Sequence, residues 1–429
     1  MNNYIYTERV DLYEPNIYIQ YLVQITGMPT SASLISAVKT AFAANEATMS
    51  RIVLDTNGAA SYEQMLDSGC KVSISKDDWK TIIRQNEKIT FDINKGELMR
   101  VFVIESEADV FLFIMAHHLV GDGKAITYFI EDVMKALSGK SLEHKPNQLI
   151  TDKTFPENTK LSLLLKLYVK SLNKKWKRTG CTFQWKDYYN IHEAYWKKHS
   201  SSIVHEHFSQ EEINRIHAHT KEIGVSVNSY IVTAFLEANR DNITIGMPVN
   251  IRDDKNKSLS NQVSGISIDH IYSDKMTFDE NAQIIHNKVI KKLLKPKKKY
   301  FVLRFVSSFT PSLLDSVLLY TYGLYQSKTT QKLAKIMGYT GGKTRELGIT
   351  NLTKLDIPNS YGVYGLKKGL FIPPVISYAK HVIGVSTMED GMSISYHFMS
   401  NQEKEKEIEF FSHAIRNLKT SINQYEKAD

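Results

Sequence analysis

Cysteine is nearly absent: Cys70 and Cys181 are the two in 429 residues. Two thiols cannot build a disulfide framework for a chain of this length, and their separation lacks the paired spacing of a zinc site. This scarcity favours an intracellular compartment, and no metal is expected. The opening MNNYIYTERVDLY has no basic segment followed by an apolar run, so no signal peptide is read there. A run of about 18 uncharged apolar residues, the minimum for a membrane-spanning helix, is also missing. The nearest approach, 301–324, is interrupted by Arg304, Pro311 and Asp315 and reads as a buried or surface-packed helix. Ten prolines and 21 glycines exclude a collagen-like or low-complexity chain. A cytoplasmic globular chain is the expectation.

What is present is ordinary in bulk. The chain is 42% hydrophobic and 23% charged. At about 150 residues per domain the length suggests two or three domains. Lys and Arg number 54 against 46 Asp and Glu, a net charge of +8. The excess is clustered at Lys166, Lys170, Lys174, Lys175, Lys177 and Arg178, and again along 288–299. A solvated helix face, an anionic small molecule or protein partner, and a membrane surface or nucleic acid are the competing readings. The solvated face is the simplest. No nucleic-acid module accompanies the clusters, so no nucleic-acid partner is expected.

Periodicity divides the chain. Leu34, Ile35, Val38, Ala41 and Phe42 share one face of a helix over 31–44, after Ser31 and Ser33 as caps. Residues 98–105 and 110–116 read as a hairpin, the second strand apolar enough to be buried on both faces. Helical spacing returns over 126–137, with Gly139 as a stop. A polar, proline-bearing stretch from 138 to 160 reads as a linker start. The segment 161–178 (LSLLLKLYVKSLNKKWKR) reads as a helix, either a packed crossover or a membrane-surface helix, with packing the expectation. The predicted domains are 1–160, a crossover over 161–200, and 201–429.

The second half opens with a strand over 203–208. Ser209 and Glu212 form a capping box before the next helix. A helix over 227–238 and a strand over 242–249 follow. Strands 381–388 and 392–398 flank the turn dipeptide Asp390-Gly391, and a last helix carries Ile408, Phe411, Ile415, Leu418 and Ile422. Each half holds a hairpin whose second strand ends near a histidine and leads through a loop into an amphipathic helix: 110–137 and 392–422. This reads as a diverged internal duplication. Such pseudo-symmetry places a cleft between the halves, where ligand sites commonly lie.

The segment that carries chemistry is Ala116-His117-His118-Leu119-Val120-Gly121-Asp122-Gly123, an HHxxxDG pattern at the end of a buried strand and before a helix. A strand end at a cleft holds a side chain rigidly and still exposes it. A histidine with an ordinary pKa near ~6.5 can accept a proton near neutrality. That suits removal of a proton from a hydroxyl or amine as it attacks a carbonyl. Adjacent strand residues face opposite ways, so only one of His117 and His118 can meet a given ligand. Asp122, between two glycines, could orient the base or tie the turn down by an ion pair.

The remaining candidates are weaker. Gly341-Gly342-Lys343-Thr344 lacks the preceding glycine of a phosphate loop. His205, His207, His217 and His219 show no metal spacing and read as solvated surface.

HHxxxDG resembles the signature of the chloramphenicol acetyltransferase-like superfamily of thioester-dependent acyltransferases. That superfamily includes nonribosomal peptide condensation domains, alcohol acetyltransferases and polyketide-associated acyltransferases. The resemblance extends over nearly the whole chain. Gly246-Met247-Pro248-Val249-Asn250-Ile251-Arg252, followed by Asn261, is similar to the family's "PVxxR…N" segment. Gly348-Ile349-Thr350-Asn351-Leu352 is similar to its "SNLG" loop, with Thr350 in place of serine and Thr353 in place of glycine. The DFGWG sequence of plant-type members is absent.

The resemblance implies an α/β fold of two pseudo-symmetric subdomains in a V shape with a central tunnel. It implies an acyl thioester donor, acyl-CoA or a phosphopantetheinyl acyl carrier, as co-substrate, with no tightly bound cofactor. The acceptor is an alcohol or amine. His118 is then the catalytic base and the amide of Gly123 a donor to the oxyanion. Asp122 pairs with Arg252 in a structural role beside His117, and Thr350 and Asn351 approach the tunnel. His397, with no DG after it, is a structural remnant. A free-standing condensation enzyme forming an amide or ester is the neighbouring alternative, and a catalytically silent scaffold that binds a carrier protein is the alternative of another class. A monomer is expected.

Overall fold

A computed structural model describes residues 3–106, 109–239, 243–339, 347–377, 379–400 and 404–425. Gly341-Gly342-Lys343-Thr344 and the side chain of Ile422 lie outside the described residues. The first half carries strands β1 (Tyr18–Thr26), β2 (Ser50–Leu54), β3 (Ala60–Gln64), β4 (Lys71–Ser75), β5 (Met99–Glu105) and β6 (Val110–His117). The second carries β7 (Ser201–Ser209), β8 (Ile243–Asn250), β9 (Val263–His270), β10 (Leu347–Lys354), β11 (Ser360–Tyr361), β12 (Tyr364–Ile372), β13 (His381–Met388) and β14 (Gly391–Met399).

Two six-stranded sheets form, in the orders β11-β12-β1-β6-β5-β4 and β7-β14-β13-β10-β8-β9. Within the first, β1–β6 and β6–β5 are antiparallel and β5–β4 is parallel. Within the second, β7–β14 and β14–β13 are antiparallel and β13–β10 is parallel. The same four-strand core therefore occurs twice in the same chain order, which is the duplication read from the sequence. Helices follow the same rule: Ser31–Ala44 and Gly123–Leu137 pack together, as do Gln210–Glu222 and Lys404–Tyr425.

The elements form where local chemistry asks for them. Leu112 to Ala116 of β6 are all buried, so both faces of the strand are covered. The first long helix begins at Ser31, but its cap is Thr30, whose hydroxyl accepts from Ser33 N; the two serines read as caps lie inside the helix. The Ser209 box is present, with Glu212 N bonded to the Ser209 hydroxyl and Ser209 N to the Glu212 carboxylate. Gly391 follows the turn with φ 151, and a side chain there would run into Phe208 O at 2.2 Å. His219, read as surface, is buried and bonded to Asp279 Oδ1 at 3.0 Å.

The division between halves is less simple than the predicted 1–160 and 201–429. β11 and β12 come from the second half yet extend the first sheet, with Gln20 opposite Ile372. The apolar stretch over 301–324 breaks into helices Phe301–Val306 and Pro311–Thr321. The second of these is buried against the first-half core. Asp315, one of the interruptions in that stretch, is buried in a pair with Arg9, Nε to Oδ1 at 2.8 Å. No described helix is long and apolar enough to cross a membrane.

Candidate active site where the two halves meet

The site begins at the end of β6. His117 is its last residue and pairs across the sheet with Tyr18. His118 opens a short 3-10 turn, His118–Val120, although its N–H still bonds to Ile17 O at 3.1 Å. The strand thus gives way to a turn between the two rings. His117 is buried, and its Nδ1 accepts from Leu119 N at 3.2 Å. Burial, with His118 and His192 nearby, pushes its pKa down to about 3, so the ring is held neutral. The His118 side chain keeps 20% of its surface exposed. Of the pair, His118 is the one a ligand can reach.

The turn then places Asp122 as the cap of Gly123–Leu137. Its Oδ1 accepts from Ala125 N at 2.9 Å. Its Oδ2 accepts from Gln262 N at 2.8 Å and from Arg252 Nη2 at 3.0 Å. Both charged groups are buried. Arg252 also donates to Ser258 O at 2.9 Å and Ser260 O at 2.6 Å. Gly121, at φ 152, has Ser260 N only 3.1 Å from where a Cβ would stand. The β8–β9 connection of the second half is thus clamped onto the turn that follows β6 of the first.

That clamp delivers Asn261 to His118. The Asn261 amide nitrogen lies 2.9 Å from His118 Nδ1 and 3.4 Å from Asp11 Oδ2. Asp11 Oδ2 is itself 3.8 Å from Nδ1. Asp11 belongs to the one-turn helix Arg9–Leu12, and burial raises its pKa. Glu8, just before that helix, is buried too, and its pKa is pushed up to about 8. The sequence carries no local signal for Asp11 or Glu8, and Asn261 stands out in it only as the last residue of the PVxxR…N segment.

An amide donating to Nδ1 fixes the imidazole proton on Nε2. The same amide turned over accepts from Nδ1–H and leaves the Nε2 lone pair free. The Asn261 Oδ1 of the first arrangement is buried with no partner among the described residues. An Nε2 base requires the second arrangement.

Gly123 is buried at the first position of its helix, where an amide has no intrahelical acceptor. A Cβ there would stand 2.8 Å from Leu352 Cδ2 and 3.0 Å from the Phe371 ring, so β10 and β12 close over it. Thr350 and Asn351 precede Leu352 on β10; Asn351 Nδ2 bonds to Asn228 Oδ1 at 3.3 Å. Among the described residues neither bonds to His118 or Asp122. Thr353, standing where the family pattern has glycine, takes φ 61, a left-handed conformation that disfavours a β-branched residue. His397 is buried, bonded to Pro373 O at 2.8 Å, and its pKa is pushed down to about 4. Among the described residues no group of three or more His, Cys, Asp or Glu is set to hold a metal.

Known structures share this fold. Polyketide synthase associated protein 5 from Mycobacterium tuberculosis superposes with a TM-score of 0.63, covering 99% of this chain and 98% of that one at 13% identity. The condensation domain of the Monacolin K polyketide synthase MokA gives 0.59 at 12% identity, over 95% and 92% of the two chains. The first condensation domain of the CDA synthetase gives 0.57 at 11%, over 95% and 92%. The chain has the two-subdomain condensation-domain fold.

In sequence it matches the hybrid PKS-NRPS synthetase thnA of Trichoderma harzianum at 28% identity over 137 residues, 30% of this chain. The synthetase xenE of Xenoacremonium sinensis matches at 35% over 63 residues, 14% of this chain. The matched regions are 3% and 2% of those synthetases. No family model matches.

Proposed function

We propose that the chain transfers an acyl group from a thioester to an alcohol or amine, with His118 as general base. His118 Nε2 takes the proton of the attacking hydroxyl or amine as its oxygen or nitrogen bonds to the thioester carbon. The resulting oxyanion accepts from the Gly123 amide, a donor already fixed at a helix start. Collapse breaks the carbon–sulfur bond, and the imidazolium returns the proton to the departing thiolate. An ester or amide and a free thiol result, with no acyl-enzyme intermediate.

The observation that carries this reading is the reachable His118 ring, with its Nδ1 side taken by Asn261 and Asp11. A group engaged at Nδ1 and open elsewhere is arranged for proton transfer rather than for packing. Asp122 and Arg252 hold the two halves around it and touch no substrate. Thr350 and Asn351, on β10 of the second half, are assigned to the substrate tunnel. The matches to hybrid PKS-NRPS synthetases favour a condensation reaction on a carrier-bound donor as the second reading, against free acyl-CoA.

The test offers acyl-CoAs of several lengths and an acylated carrier protein to a panel of alcohols and amines. Released thiol and product mass are followed for wild type beside His118→Ala. Loss of a positioned base lowers turnover roughly 100- to 10,000-fold. Equal conversion by both proteins rejects His118 as the base.

A further inference from the structure

Two stretches of the chain contain no acidic residue, 158–186 and 281–314. Each carries eight Lys or Arg, so the rest of this +8 chain is net acidic. They lie far apart in sequence and side by side in the fold. Asn173 Nδ2 donates to Ser308 O at 2.9 Å, and Trp176 Nε1 to Ser312 Oγ at 2.8 Å. Arg304 donates to Thr159 Oγ1 at 3.1 Å. A groove of about 860 Å³ runs between them, with Lys166, Lys170, Lys174 and Lys177 on one wall and Phe309 to Pro311 on the other.

The helix Leu163–Lys177 is only half packed. Val169, Leu172 and Trp176 face the core, whereas Leu163 is 72% exposed and Leu164 82%. Leu167, Leu294, Phe301 and Val302 are exposed as well. Packing of the crossover was the expectation; it accounts for one face and leaves the leucines of the first turn in water. Among the described residues no lysine from 166 to 177 or from 291 to 299 forms a salt bridge with an acid. A solvated face explains the lysines and does not explain the leucines between them.

We infer that this face docks onto an anionic phospholipid bilayer. The leucines at the helix start and the side chains near 301 would enter the acyl boundary, and the flanking lysines would meet the phosphates. An acidic protein would complement the charge but gives no reason for leucines this far exposed. The inference stands apart from the acyl-transfer reading, because no residue of the His118 site takes part.

The experiment is co-sedimentation of the full chain with vesicles of phosphatidylcholine alone and of phosphatidylcholine mixed with phosphatidylglycerol. Binding is expected to the mixed vesicles and to weaken with salt. Each cation near an anionic surface is worth about fivefold, so Lys170→Glu with Lys174→Glu lowers the affinity tenfold or more, to order of magnitude. Leu163→Ser with Leu164→Ser and Leu167→Ser lowers it by roughly tenfold per leucine. All five positions are exposed, and unchanged circular dichroism shows that the fold is kept. No sedimentation, equal sedimentation with both vesicle types, or variants that bind like wild type overturns the inference. So does capture of an acidic carrier protein through the same residues with no vesicle binding.

Discussion

Removing the charge of Asp122 tests how the site is held. Asp122→Asn preserves the shape and the helix cap, since Asn caps as well as Asp. It leaves the Arg252 guanidinium buried without a counter-charge, still bonded to Ser258 O and Ser260 O. Breaking a buried pair in this way costs about 3–5 kcal/mol. Asp122→Ala also loses the bond from Ala125 N, a further ~1 kcal/mol. At about 2.1 cal/mol/K per residue, unfolding 429 residues carries an entropy of ~0.9 kcal/mol/K, so Tm falls by roughly 3–6 °C in Asp122→Asn and about a degree more in Asp122→Ala. Differential scanning fluorimetry reads this directly. Arg252→Met combined with Asp122→Asn removes both charges and is expected to recover more than half of the loss. The urea-derived coupling between the two positions then comes to at least about 1.5 kcal/mol. A drop of less than about 1 °C in Asp122→Asn would refute the reasoning. So would a double variant no more stable than the sum of the singles.

Two further outcomes follow from the same site. Asn261→Leu removes the group at His118 Nδ1; nitrogen NMR of histidine-labelled protein is expected to change from a single Nδ1–H tautomer to a mixture, and kcat to fall while KM holds. An unchanged tautomer means that Asn261 does not set it. Glu8 keeps its proton in the folded protein up to about pH 8, whereas the unfolded chain releases it near 4.5, so rising pH removes stability across that window. Glu8→Gln abolishes this component, and Tm measured from pH 5 to 8 is expected to fall less steeply in the variant than in wild type.

What the sequence made legible was local. The helix at 31–44, the hairpin ending at His117 and the Ser209 box each announce themselves within a dozen residues, through apolar spacing or a cap. The HHxxxDG turn is legible because two glycines and an aspartate are needed at fixed places in a tight turn. The misses are long-range or too short to show a period. β12 has no place in the sequence reading, and no local feature says that it pairs with β1. The helix Arg9–Leu12 is one turn long, so it leaves no periodicity, yet it brings Asp11 to His118 and Arg9 to Asp315. The segment 161–178 shows leucines on every side, and only the packed structure tells the covered from the uncovered.

The duplication raises the question of why one half carries a reachable histidine and the other does not. β6 and β14 occupy equivalent places in their sheets, and each ends near a histidine. His397, like His117, lies within its strand, buried and with its pKa pushed down. A ring so placed can satisfy one neighbour and serve nothing else; for His397 that neighbour is the carbonyl of Pro373. His118 differs by one residue of position, just past the strand, where the backbone has turned. That turn can be held open because Asp122 binds a loop of the other half, and the loop returns Asn261 to the ring. After β14 the sequence offers no aspartate between glycines to recruit such a loop. The asymmetry therefore lies in the strand-to-helix turn rather than in the histidine itself, and a histidine moved to the equivalent place in the second half would lack the contacts that His118 makes with Asn261 and Asp11.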